Sequence, residues 1–283
     1  MNTHITKGAA LITGASSGIG AVYTDRLANR GYDLILVARD HKRLADLSAR
    51  LASKTSRKVE ILPADLTRSE DLRAVEERLR SDRAITALVN NAGFGATAKL
   101  IESNIDDLEN MIQLNVTALT RLTAAVLPGM LERANGLIIN ISSIAALAPE
   151  LLNGVYSGTK VYVVNFTQSL HHEVSGKGIQ VQAVLPGATS TDFWDRAGLS
   201  VRHLPEQAVM TADEMVDASL AGLDQHELIT IPSLPDAADW HKFDSARVAL
   251  GPNLSFTHAA DRYRNGAEVP AHSLRQPETS TSS

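Results

Sequence analysis

Apolar residues along this chain fall into short unbroken runs that alternate with longer stretches in which they recur every three or four positions. The unbroken runs lie at 9–13, 33–38, 59–62, 87–90, 136–141 and 179–185. Unbroken apolarity predicts strands buried on both faces, as in a parallel sheet covered by helices. Between the runs, segments 18–29, 41–54, 68–81, 105–133 and 155–176 have helical length and spacing. Gly31 and Gly176 stand just after two of them, where a left-handed cap favours glycine. Thr67-Arg68-Ser69-Glu70 has the form of a capping box, and Pro128 is expected to end or kink the long fourth segment. Strand alternating with helix at this spacing predicts an α/β fold, a doubly wound Rossmann-type parallel sheet flanked by helices.

After Pro186 the pattern loosens. A loop-rich stretch, 188–209, precedes a helix at 212–224, a short strand at 228–231 and an extra helix at 236–250. We therefore expect one domain over residues 1–265. Within it, 188–215 would form a substrate loop and 232–265 a C-terminal helical extension. The polar tail at 266–283 is expected to be disordered.

Bulk composition narrows the chemistry more than the fold. The chain of 283 residues has no cysteine, which excludes disulfides, thiolate metal sites and cysteine nucleophiles. Its formal net charge of −5, with Lys and Arg scattered, gives no basic field for nucleic acid or anionic lipid. The first residues carry too short an apolar run for a signal peptide, and no stretch reads as the ~20 apolar residues that span a bilayer. A cytoplasmic protein without a membrane partner is expected. His171 and His172 are adjacent, face different ways on a helix and read as structural, so no metal is expected.

The first strand runs directly into Thr13-Gly14-Ala15-Ser16-Ser17-Gly18-Ile19-Gly20 and then a helix. Gly14 turns the chain tightly, Gly18 and Gly20 let backbone approach a pyrophosphate, and the helix N-terminus offers N–H groups to phosphate oxygens. The spacing is Gly-x-x-x-Gly-x-Gly, not the common dinucleotide fingerprint, and a ligand-free glycine turn is the competing reading. The second strand ends Val37-Ala38-Arg39-Asp40. Ala38 followed by Arg39 leaves room for an adenosine 2′-phosphate, onto which a guanidinium can fork. This favours NADP(H) over NAD(H), unless Arg39 only solvates a helix start.

Tyr156 and Lys160 stand four apart and share a helical face. A nearby ammonium favours a phenolate and is expected to lower the tyrosine pKa, fitting Tyr156 to exchange a proton with a carbonyl or alcohol oxygen. Such a pair alone is more often surface packing.

The remaining motifs lift it above that. TGASSGIG (13–20), NNAG (90–93), Asn115 in LNV, Ser143 in ISSIA, YSGTK (156–160) and LPGATST (185–191) occur in this order. Together they resemble the short-chain dehydrogenase/reductase family, single-domain branch, over residues 8–191 and more loosely to 231. The resemblance implies that Ser143 hydrogen-bonds the substrate oxygen beside Tyr156. Lys160 would bond the nicotinamide ribose, and Asn115 would hold a water near Lys160 in a locally distorted helix. It also implies cofactor contacts from Gly14, Ser16, Ser17, Gly18, Ile19 and Gly20. Further contacts would come from Arg39, from Asp65 and Leu66 at the adenine, and from Asn91, Ala92 and Gly93. Pro186, Gly187, Thr189 and Thr191 would surround the nicotinamide, while Asn90 would tie strands together. A homodimer or homotetramer built through the fourth and fifth helices is implied as well.

Phe193, Trp194 and Leu199 in the loop after the sixth strand, with Phe94, Leu147 and Leu152, offer an apolar substrate pocket, although each is equally a core residue type. Arg196 and Arg202 are the candidate anion contacts there. The expected reaction is reduction of a small to medium, mainly apolar ketone or aldehyde. The competing readings are oxidation of an alcohol, a non-catalytic NADP(H) sensor, and a sugar-nucleotide epimerase, whose glycine spacing and larger C-terminal domain are not seen.

Overall fold

Leu11, Ile35, Leu88, Ile138 and Val181 point to one face of the sheet, while Ile12, Leu36, Val89, Ile139 and Val184 point to the other, and all are buried. Apolar side chains on both faces of each strand explain the unbroken runs in the sequence. The computed structural model describes residues 7–198 and 205–263. Seven parallel strands stand in the order β3-β2-β1-β4-β5-β6-β9. They are β1 (Ala9–Thr13), β2 (Asp33–Ala38), β3 (Val59–Pro63), β4 (Ile85–Asn90), β5 (Gly136–Ile141), β6 (Ile179–Val184) and β9 (Ile229–Thr230). A second, two-stranded sheet pairs β7 (Thr189–Ser190) with β8 (Met210–Thr211).

Helices α3 (Ser69–Ser81), α5 (Leu119–Arg133) and α6 (Gly154–Val174) cover the first face, and α1 (Gly18–Asn29), α2 (His41–Lys54) and α8 (Ala212–Asp224) the second. The strand order reverses between β1 and β4, so the carboxyl ends of β1, β4, β5 and β6 open onto one crevice, where such sheets bind ligands. A third apolar cluster sits there, built on Leu108, Met111, Ala145 and Tyr156.

The long fourth helical segment is three elements. α4 (Ile105–Ile112) passes through a π-turn, Gln113–Ala118, into α5. Asn115 lies in that widened turn, where the distortion was expected. Pro128 neither ends nor interrupts α5, which continues to Arg133 and stops at Ala134 in the left-handed region. Thr67 is not a helix cap. Arg68 stands at the N-cap of α3 without a side-chain bond, because the Thr67 hydroxyl donates to Asp65 at 2.7 Å.

The expectation that no segment is apolar enough for a bilayer also fails. Ile105–Arg133 has the length and a mean hydropathy of 1.3. Its apolar residues Leu122, Ala125, Val126 and Met130 pack into the core beneath the sheet, and that burial is why so many are apolar.

The chain divides into two compact units at Ser233/Leu234, and every strand named here belongs to the first. The second holds α9 (Ala237–Ala249), capped by Asp236 and carrying Lys242–Asp239 and Arg247–Asp244 ion pairs. Residues 264–283 lie outside the described residues, and so does the tail expected from 266 onward. The remaining helix, α7, is the short Phe193–Arg196 segment between the two small strands.

Candidate active site

Tyr156 and Lys160 project from successive turns of α6, and the start of that helix is pinned from several sides. Asn153 caps it, accepting from Val155 N–H at 2.9 Å and donating to the Ala98 carbonyl at 2.7 Å. Ser157 donates to the Ala145 carbonyl, and Ser142 to the Lys160 carbonyl, both at 2.8 Å. These bonds lock the turn of α6 that carries Tyr156 and Lys160 to the loop after β5. Ser142 therefore ties the end of β5 to α6.

Both side chains are buried, Tyr156 at 4% and Lys160 at 6% exposure. Lys160 Nζ donates to the Ile141 carbonyl at 3.0 Å and lies 5.6 Å from the Tyr156 ring centre. Burial pushes the Tyr156 phenol up to about 12, opposed in part by a hydrogen bond with Ser143, and brings Lys160 down to about 8. The lysine was expected to lower the tyrosine pKa. Removal from water dominates instead, and the hydrogen bond with Ser143, not the lysine, is what opposes it. Tyr156 is consequently a neutral phenol at pH 7, the form that can give a proton.

Asn115 is 2% exposed and does not line the cavity. It accepts from Phe94 N–H at 3.2 Å and donates to the Phe94 carbonyl at 2.9 Å and Thr159 Oγ1 at 3.1 Å. The π-turn thus holds an amide between the loop after β4 and the turn of α6 that carries Lys160. A Cβ added at Gly93 would meet Asn115 Oδ1 at 2.9 Å and Lys160 Nζ at 3.7 Å, so both groups border the same small space.

A cavity of about 790 Å³ runs from the glycine loop to this cluster. Gly14, Ser17, Gly18 and Ile19 line one end, and Ser143, Tyr156 and Lys160 the other. Asn91, Ala92 and Gly93 form one wall, with Pro186, Gly187, Thr189 and Thr191 opposite. Gly14 and Gly18 hold φ of 65° and 52°, a region side chains avoid. Ser17 makes no side-chain cap to α1, and no acidic residue stands in its first turn. No side chain at the start of α1 therefore competes for the amides of that turn, which suits phosphate. This cradle and the buried Tyr-Lys-Ser cluster at its far end fit a dinucleotide with a reactive ring.

Ser16, Gly20, Arg39, Asp65 and Leu66 do not line that cavity. Arg39 is exposed just after the end of β2, whose Val37 carbonyl accepts from Ala15 N–H in the glycine loop at 3.2 Å. Asp40 caps α2, accepting from Arg43 N–H at 2.9 Å, so its carboxylate is already engaged. Asp65 accepts from Thr67, and Leu66 turns its side chain into the core. Asn90 donates to Thr123 and Asn140, the strand tie expected of it.

On the substrate side, Phe94, Leu152, Phe193 and Trp194 line the cavity. Leu147 does not; it follows the 3-10 turn Ile144–Ala146 at 40% exposure, and Leu151 lines the cavity instead. The Phe193 ring centre stands 5.9 Å from that of Tyr156, and Trp194 donates to the Thr189 carbonyl at 2.9 Å. Leu199 and Arg202 lie outside the described residues, as does the side chain of Arg196. Thr13 was missed as a site residue. Its hydroxyl accepts from Asn91 and Ala92 N–H groups and knits the ends of β1 and β4 together, a contact with no local sequence signal.

Comparison with known proteins decides the family. The family description "short chain dehydrogenase" matches residues 8–200.

The chain belongs to the short-chain dehydrogenase family.

It is an oxidoreductase of that family and its site takes a nicotinamide cofactor. A short-chain dehydrogenase from Sphingobium yanoikuyae, solved in complex with NADPH, is similar to it at 50% identity and a TM-score of 0.88. That likeness covers 91% of this chain and 100% of the other. The bulky-bulky ketone specific alcohol dehydrogenase from Comamonas testosteroni is similar at 44% identity and a TM-score of 0.84, over 92% and 99% of the two chains. The very-long-chain 3-oxoacyl-CoA reductase of Rattus norvegicus is 37% identical over 186 residues, 64% of this chain. This dehydrogenase spans only 59% of that relative's length.

Proposed function

We propose that this dehydrogenase is an NADP(H)-dependent carbonyl reductase acting on apolar ketones and aldehydes, including ketones with bulky groups on both sides of the carbonyl. One observation carries the reading. A single cavity joins a glycine cradle suited to phosphate to a neutral, buried Tyr156 under an apolar roof of Phe94, Leu152, Phe193 and Trp194. The size of that cavity and the likeness to a bulky-bulky ketone specific enzyme support the larger ketones. Leu151 and Met210 add apolar surface and extend the roof.

A bound nicotinamide supplies the hydride. The rest falls to this chain. Ser143 and Tyr156 would bond the carbonyl oxygen, and Tyr156 would pass its proton to that oxygen as negative charge develops there. Lys160, 5.6 Å from the Tyr156 ring centre, would stabilise the phenolate left behind and would hold the cofactor ribose. Asn115 fixes the β4 loop and α6 in register and presents its carbonyl oxygen to the space beside Gly93, where a water would connect Lys160 to solvent.

Preference for NADP(H) rests on Arg39, with Asp40 turned away into the α2 cap and so not placed to accept ribose hydroxyls. Exposed Val161 on α6 is consistent with homo-oligomers built through α5 and α6, which light scattering would test.

The test of the function is cofactor consumption, NADPH and NADH in parallel, against ketones and aldehydes of graded bulk. The reading expects oxidation of NADPH with bulky apolar ketones. Tight NADPH binding without turnover of any carbonyl would contradict it.

A further inference from the structure

The substrate segment begins directly above the phosphate loop. A Cβ at Gly18 would lie 3.0 Å from Thr191 Cγ2, so Thr191 roofs the first turn of α1. The next residue, Asp192, lines the cavity and receives a hydrogen bond of 2.9 Å from Arg43 Nη1, across 149 positions of sequence. Arg43 stands in the first turn of α2, with Nε 3.6 Å from Asp40, four residues beyond Arg39. One residue beyond Asp192, Phe193 covers Tyr156, and Ala197 accepts from Thr97 at 2.8 Å. The segment is thereby fastened at both ends, to the adenosine side by Arg43 and to the β4 loop by Thr97.

We infer that Asp192 and Arg43 form a latch that closes the substrate segment over the cofactor groove, so that a bound dinucleotide leaves only when this ion pair opens. The inference rests on the nicotinamide-dinucleotide reading of the groove. Arg43 and Asp192 are positioning residues, because neither touches the reacting atoms; the roof they hold carries Thr191 at the phosphate loop and Phe193 at Tyr156. Both partners are about half exposed, so the pair is salt-sensitive and modest in strength. It sets the residence time of the cofactor rather than whether it binds.

The test is stopped-flow displacement of NADPH and of NADH, followed by their fluorescence, from wild type, Asp192→Asn and the charge swap Arg43→Asp/Asp192→Arg. Asp192→Asn should release both cofactors roughly two- to fivefold faster, the range an exposed ion pair supports. Salt should accelerate release from wild type and leave Asp192→Asn almost unchanged, and the swap should restore slow release of NADH. An unchanged rate in Asp192→Asn would overturn the latch, as would an increase that the swap does not reverse. Wild type that holds neither cofactor would overturn the dinucleotide reading and the latch together.

Discussion

Lys160 Nζ lies 5.6 Å from the centre of the Tyr156 ring and donates to the Ile141 carbonyl, with both side chains inside the protein. A charged amine held there without a carboxylate is costly, and that cost shows as a pKa brought down to about 8. In the proposed reaction that charge would stabilise the phenolate developing on Tyr156.

Replacing Lys160 should therefore stabilise the fold while ending catalysis. The unfolded lysine titrates near 10.5 and the folded one near 8, so the native state binds fewer protons between these values and wild-type stability rises with pH across that window. Below pH 8 the burial cost is present in full, with an upper bound of about 3 kcal/mol. Lys160→Met should gain part of that at pH 7, less about 1 kcal/mol for the lost bond to Ile141. The gain should shrink from pH 8 to 10.5. Thermal melts across that range, at roughly 2–4 °C per kcal/mol, check this; a variant less stable than wild type at pH 7 would contradict it.

Arg39 should decide between the cofactors. Arg39→Asp removes a charge-assisted fork and adds a carboxylate that repels phosphate, so kcat/KM for NADPH should fall roughly 10- to 100-fold while that for NADH holds or rises. An unaltered NADPH/NADH ratio would place recognition of the phosphate elsewhere.

Gly95 controls the height of the roof. A Cβ there would lie 2.6 Å from Phe193 Cζ and 3.3 Å from Tyr156 Cδ2, so Gly95→Ala must displace the Phe193 ring. The expected result is a loss for bulky ketones of roughly tenfold or more in kcat/KM, with small aldehydes affected least. Equal losses for both would mean that Tyr156 itself has moved.

Much of this architecture was legible in the chain. The strands at 33–38 and 136–141 and the helices at 18–29, 41–54 and 212–224 stand where continuous or periodic apolarity put them, because burial on two faces or one leaves that imprint. Ser143, Tyr156 and Lys160 were legible through ordered motifs, and the structure brings them to one end of one cavity. What escaped depends on contacts between distant segments. Thr67 looked like a cap until Asp65 claimed its hydroxyl, and Pro128 sits in a helix that packing sustains. Leu147 and Leu151 are the same residue type four apart, and only the course of the loop after β5 decides which lines the cavity. The Arg43–Asp192 pair leaves no local pattern at all.

The most direct test of the central claim is a comparison of Tyr156→Phe with wild type in NADPH-dependent reduction of a bulky apolar ketone, alongside NADPH binding by fluorescence. The account predicts a fall in kcat of roughly 100-fold or more with cofactor affinity nearly unchanged, because the phenol hydroxyl is the only group removed. Turnover retained in Tyr156→Phe would show that another group delivers the proton.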